Sequence, residues 1–235
     1  MQCSSDNITD ALTHGDIDIV GRMPDSSNAT FLVTIAHGDV NMQAIYKPLR
    51  GERPLWDFEP GLHRREVAAF LLSEALGLGL VPITILRDGP FGEGSVQFFV
   101  ESDTREHYFS LFEERPELHD RLREFAIFDF VANNTDRKSG HCLLGIDGNV
   151  WGIDHGVCFS ADFKLRTVIW EFGGEPIPQY LLTAIAPMAT TVPLHIAALL
   201  SDDEVHALQE RVQWLLDHPE FPVDNSGRRY PWPIV

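Results

Sequence analysis

Polar and apolar positions alternate along the first hundred residues and then regroup at helical spacing. Residues 15–23 set Ile17 and Ile19 against Asp16 and Asp18, the period-two signature of a half-buried strand. Residues 31–36 (FLVTIA) and 42–46 (MQAIY) flank the turn His37-Gly38-Asp39 and predict a hairpin. Residues 81–87 (VPITILR) and 95–100 (SVQFFV) predict a second strand pair across residues 88–94. Between the pairs, residues 63–76 place Val67, Phe70, Leu71 and Ala75 at helical intervals, with Gly77 as a stop. A short opening helix is expected at residues 10–14.

After residue 100 the pattern changes. Residues 118–132 form a helix whose apolar residues thicken towards its end, as burial of that end requires. The polar run Asn133 to His141 interrupts it. Two short strands follow at 142–146 and 150–153, around Asp147-Gly148-Asn149. Residues 178–186 and 201–216 read as helices, the latter opening with the capping box Ser201-x-x-Glu204. The proline-rich tail from Asp217 is irregular. The expected class is α+β: a small β-rich lobe over residues 1–100 and a mainly helical lobe over 101–235, joined as one domain with a cleft at the join.

Composition narrows the function classes. The 235 residues carry 18 basic and 35 acidic side chains, a net charge of −17. That argues against nucleic acid as a partner, because such proteins need a basic footprint to displace phosphate counterions. It equally disfavours stable association with an anionic membrane. The longest apolar run holds ~12 residues, against the ~20 that a spanning helix needs. Three cysteines without a CxxC pair make neither a disulfide framework nor a zinc set. A soluble, cytoplasmic protein is expected.

Four features carry candidate chemistry. Lys47 ends a strand, where its point charge can hold phosphate oxygens. Glu66, on the following helix, can fix that lysine by pairing with it. Asp136, in the loop after the buried helix, can orient or deprotonate a hydroxyl, and His141 can ligate a metal or hydrogen-bond the loop. Asp154, straight after the second short strand, can hold Mg²⁺ on nucleotide phosphates. Each alone reads equally well as a surface charge or a polar turn. All four in this order and topology are a more specific signal. Among the alternatives, no HxH, HExxH, G-x-S-x-G, G-x-G-x-x-G or Walker A motif occurs.

The stretches SSNATFLV (26–33), AIYKPLRGERP (44–54), REVAAFLLSEALGLGLVP (65–82), GSVQFFVE (94–101), FDFVANNTDR (128–137) and WGIDHGVCF (151–159) resemble the phosphoinositide 3/4-kinase superfamily. Within it the chain is most similar to type II phosphatidylinositol 4-kinases and a short, uncharacterised bacterial kinase-like family. The resemblance implies a two-lobed, protein-kinase-like fold and ATP with Mg²⁺ or Mn²⁺. Ser26, Ser27 and Asn28 would lie in the phosphate-covering loop. Lys47 would bind the α/β-phosphates and pair with Glu66. Phe98, Phe99 and Val100 would touch adenine through their backbone. Asp136 would be the catalytic aspartate and Asp154 the metal ligand. Arg137 and Lys138 would lie close to developing negative charge, so that the cleft gathers cations from an acidic chain.

Three departures qualify that picture. The phosphate loop lacks its usual glycine, and Asn28, which tolerates left-handed backbone, could stand in for it. His141 occupies the position of a metal-binding Asn, and imidazole suits Mn²⁺ better than Mg²⁺. The segment after Asp154 lacks the basic, membrane-inserting elements of the lipid kinases. The expected activity is therefore phosphoryl transfer to a soluble protein or small molecule. The alternatives are a degenerate nucleotide-binding pseudokinase and, behind it, a lipid kinase or an AMP transferase.

Overall fold

The computed structural model describes residues 5–24, 26, 28–103 and 105–234. Helix α1 (Ser5–His14) precedes strands β1 (Asp16–Arg22), β2 (Phe31–His37) and β3 (Val40–Pro48). Helix α2 (Leu62–Ala75) and strands β4 (Thr84–Gly89) and β5 (Gly92–Phe98) follow. The five strands form one antiparallel sheet in the order β1-β2-β3-β5-β4. The second hairpin turns more tightly than the sequence indicates, closing at Pro90-Phe91. Strand β1 lies at the sheet edge and is largely exposed rather than half-buried, with Val20 55% accessible.

The remainder is mainly helical: α3 (Tyr108–Glu114), α4 (His119–Ala132), the hairpin β6 (Cys142–Leu144) and β7 (Val150–Gly152), α5 (Gln179–Ile185), α6 (Leu194–Ala197) and α7 (Asp202–Asp217). The Ser201–Glu204 capping box forms in both directions. Helices α3 and α6 carry no clear sequence signal, being two turns and one turn long. The tail returns to the body: Ser139 N–H donates to Ile234 C=O at 2.9 Å and Thr167 N–H to Arg229 C=O at 3.1 Å.

Two cores result. A small one joins Ala11 and Leu12 of α1 to Val33, Ile35, Ala44, Tyr46 and Val96 of the sheet. A large one runs through the helical part and also claims Ala68, Ala69 and Leu72 of α2, which packs against β4 and β5 as well and so bridges sheet and helices. Strand alternation then decides the site. Ala44, Tyr46 and Pro48 are buried, and Lys47 points to the opposite face, towards α2.

Candidate active site

Lys47 Nζ is held by two carboxylates. It donates to Glu66 Oε1 and, at 2.8 Å, to Asp154 Oδ1. Glu66 lies in the second turn of α2 and is 2% exposed; its Oε2 accepts the His155 backbone N–H at 3.0 Å. One glutamate thus fixes both the lysine and the backbone beside Asp154. The two carboxylates outweigh the burial of Lys47 and push its pKa up. Lys47 beside it holds the Asp154 carboxyl well below the usual carboxylate range.

Asp154 has φ 62°, a left-handed backbone that non-glycine residues adopt at a cost of roughly 1–3 kcal/mol. Ile153 N–H, just before it, donates to His141 C=O at 3.1 Å, stitching the exit of the small hairpin to the Asp136 loop. Asp154 Oδ2 faces His141 Nε2 at 3.4 Å. His141 Nδ1 accepts the Lys138 backbone N–H at 3.4 Å. Burial lowers the His141 pKa to about 4, and the ring is uncharged at neutral pH.

The Asp136 loop begins where α4 ends. Asn133 closes the helix in a left-handed conformation (φ 49°), and its side chain donates to Ser160 C=O at 2.8 Å. Asn134 Oδ1 accepts the Asp136 backbone N–H at 3.0 Å, and Thr135 Oγ1 donates to Val157 C=O at 2.8 Å. Asp136 Oδ2 lies 3.3 Å from Lys138 Nζ. Burial raises the Asp136 pKa despite this lysine, which makes its carboxylate a better proton acceptor than an ordinary one.

Arg137 corrects an expectation. It is fully buried and all its donors are spent inside. Nε and Nη2 clamp Asp129 at 2.9–3.1 Å, Nη1 donates to the His141 and Ile153 carbonyls, and Nη2 also reaches His155 Nε2 at 2.7 Å. The guanidinium ties the two loops together from beneath and does not face the cleft. Of the three cations expected there, Lys47 and Lys138 remain, and Arg166 adds positive charge near Asp136. Asp129, which no sequence motif singles out, and His155 complete this floor. Asp129 also binds Asn134 Nδ2 at 3.0 Å and the Thr167 hydroxyl at 3.1 Å. Its signal was a lone carboxylate between Phe128 and Phe130 in an apolar helix.

The remaining expected residues lie at the sheet. Ser26 Oγ pairs with Thr30 Oγ1 at 2.8 Å, and Asn28 Oδ1 accepts the Arg53 N–H at 2.9 Å. Ser27 lies outside the described residues. Asn28 does not replace glycine by a left-handed backbone: the non-glycine residues with positive φ are Asn133, Asp154 and Phe159 among those described. Its side chain instead ties the loop to the segment after Lys47. Phe98 and Phe99 spend their N–H groups on Ile83 and Gln43 carbonyls, leaving Val100 as the one of the three without a backbone partner among the described residues.

Among the described residues no three His, Cys, Asp or Glu converge on a metal-sized centre. Two carboxylates beside a lysine nevertheless suit a hard cation that draws its other oxygens from phosphate and water. Asp154, ionised and half-exposed, has the charge and access that such a cation needs.

Residues 63–210 match the family of phosphatidylinositol 3- and 4-kinases, a stretch that includes Glu66, Asp136 and Asp154. The chain is 40% identical to protein Rv2133c of Mycobacterium tuberculosis H37Rv, covering 94% of this chain and 93% of that protein. Its fold is similar to the Helicobacter pylori proinflammatory kinase CtkA (TM-score 0.53, 12% identity, 89% of this chain and 94% of that one). It is also similar to hydra Fam20 solved with sugar (TM-score 0.60, 16% identity, 92% and 89%). Those likenesses show a kinase-like fold, and with more than half of its length matched, the chain belongs to the phosphatidylinositol 3- and 4-kinase family.

Proposed function

We propose that the protein is an ATP-dependent phosphotransferase acting on a soluble protein or small-molecule hydroxyl. The observation that carries this reading is Lys47 held between Glu66 and Asp154, with Asp136 on the adjoining loop. Residues 1–100 would form the nucleotide lobe and 101–235 the lobe bearing Asp136 and Asp154. Lys47 would bind phosphate oxygens, and Val100 would offer its backbone to adenine. Asp136 would take the proton of the acceptor hydroxyl, its raised pKa favouring that transfer. Lys138 would offset negative charge beside it. Asp154 would hold the divalent cation, which when bound screens the charge spread over the transferring phosphoryl group.

A non-catalytic nucleotide binder is the second reading. It is favoured by His141, a nitrogen side chain where the resemblance expects an oxygen ligand.

The experiment is transfer from α- and γ-labelled ATP, with Mg²⁺ and Mn²⁺ separately, scoring self-labelling and added acceptors. Phosphotransfer predicts γ-label in product, lost in Asp136→Ala and Asp154→Ala. Turnover retained in both variants overturns it. Thermal stabilisation by ATP with no product selects the second reading, and α-label in product selects AMP transfer.

A further inference from the structure

A cavity of about 440 Å³ lies in the helical part, apart from Lys47, Asp136 and Asp154. Its walls include Phe163, Trp170 and Trp214, with Phe163 44% and Trp214 42% exposed. Helix α7 contributes Ala207 and Arg211, and the tail contributes Arg229. Such a volume suits a small molecule, and aromatic walls suit an apolar body.

Arg211 departs from the apolar lining. It is 6% exposed, donates Nε to Val131 C=O at 2.9 Å and Nη1 to Ser160 C=O at 3.4 Å, and leaves Nη2 without a partner. No carboxylate lies within ion-pair distance of it among the described residues. Burial lowers its pKa to about 10, so it stays charged at neutral pH. An unpaired buried charge is destabilising, and a leucine or methionine would fill the same space more cheaply. Arg229 lies over the Phe163 ring at 4.8 Å and likewise has no ion-pair carboxylate among the described residues. Exposed Glu210, 3.4 Å from His206, adds one negative charge to the lining and favours a monoanion over a phosphate dianion.

We propose that this cavity binds a small amphiphilic carboxylic acid, its aliphatic or aromatic body against Phe163, Trp170 and Trp214 and its carboxylate towards Arg211 and Arg229. Arg211 already clasps the end of α4 and Ser160, which flank the segments carrying Asp136 and Asp154. The bound acid would therefore sit directly behind the loops of the cleft.

The test uses the full chain and anilinonaphthalenesulfonate, read by energy transfer from tryptophan. Saturable one-to-one binding is expected, displaced by decanoate and not by decanol. Arg229→Gln should weaken it about tenfold, as loss of a charged hydrogen bond does. Ala207→Phe should abolish it by filling the cavity. Arg211→Met is informative if its thermal melt stays cooperative, and the other two variants carry the test if it does not. Neutral phenylnaphthylamine binding as tightly as the sulfonate would overturn the proposal. So would unchanged binding in Ala207→Phe, or displacement by ATP. None of these readouts depends on phosphotransfer.

Discussion

Lys47 Nζ lies 2.8 Å from Asp154 Oδ1, a contact that joins β3 to the exit of the small hairpin across 107 residues of sequence. The lysine has Glu66 on its other side, so the two carboxylates share one cation. Lys47→Met should weaken ATP binding by roughly 10- to 100-fold, the scale of about 1.5–3 kcal/mol for a hydrogen bond to a charged group. Asp154→Asn should retain nucleotide binding and lose turnover by roughly 100-fold or more. Calorimetric titration beside initial rates separates the two; equal loss of binding in both variants contradicts the division of roles.

The buried Asp129–Arg137 pair should behave as a structural unit. Asp129→Leu strands a fully buried guanidinium and should cost about 3–5 kcal/mol, and Arg137→Met strands the carboxylate in its turn. In the double variant Asp129→Leu/Arg137→Met no charge is stranded, so the loss should be smaller than the sum of the single losses. Urea melts of the four proteins give the coupling, and strict additivity would show that the pair is not a unit.

His63 offers a pH test away from the cleft. Its ring is buried between Glu52 at 2.8 Å and Glu93 at 3.0 Å. Burial alone would depress its pKa, but the hydrogen bonds to both carboxylates outweigh this and hold it above the ordinary 6.5. Protonated His63 thus stabilises the fold fully below that ordinary value, and the contribution fades as pH rises through the raised one. The melting temperature of the wild type should fall more steeply from pH 6.5 upward than that of His63→Gln. Parallel curves would remove His63 as the cause.

His141 should set the choice of cation. A neutral imidazole next to Asp154 tolerates Mn²⁺ better than Mg²⁺. The ratio of Mn²⁺- to Mg²⁺-supported rates should exceed one in the wild type and fall several-fold in His141→Asn. Steady-state rates in each metal decide it, and an unchanged ratio removes His141 from metal selection.

The strands, α2, α4 and the small hairpin were legible because burial imposes periods of two and 3.6 on their residues. Lys47, Glu66, Asp136 and Asp154 were legible by order and by element type, since a strand-end lysine and a helix glutamate fall opposite each other. Arg137 was not. Asp-Arg-Lys reads as a solvated cluster, and the partner that draws Arg137 inward, Asp129, lies on the preceding helix. Arg211 was hidden similarly: on an amphipathic helix its charge looks like surface until α7 is packed on the end of α4. The exposure of β1 depends on its place at the sheet edge, which strand order fixes and local pattern does not.

Lys47 stands on β3, a strand anchored in the small core of the sheet, whereas Glu66, Asp136 and Asp154 stand on segments anchored in the large one. Two carboxylates of the protein itself serve as counter-ions to the lysine. On the proposed function, entry of a polyphosphate would be an exchange of partners rather than a simple addition, one anion being traded for another around a single ammonium group. Loosening of the Lys47–Asp154 contact would then accompany that exchange and free the Asp154 carboxylate for a cation.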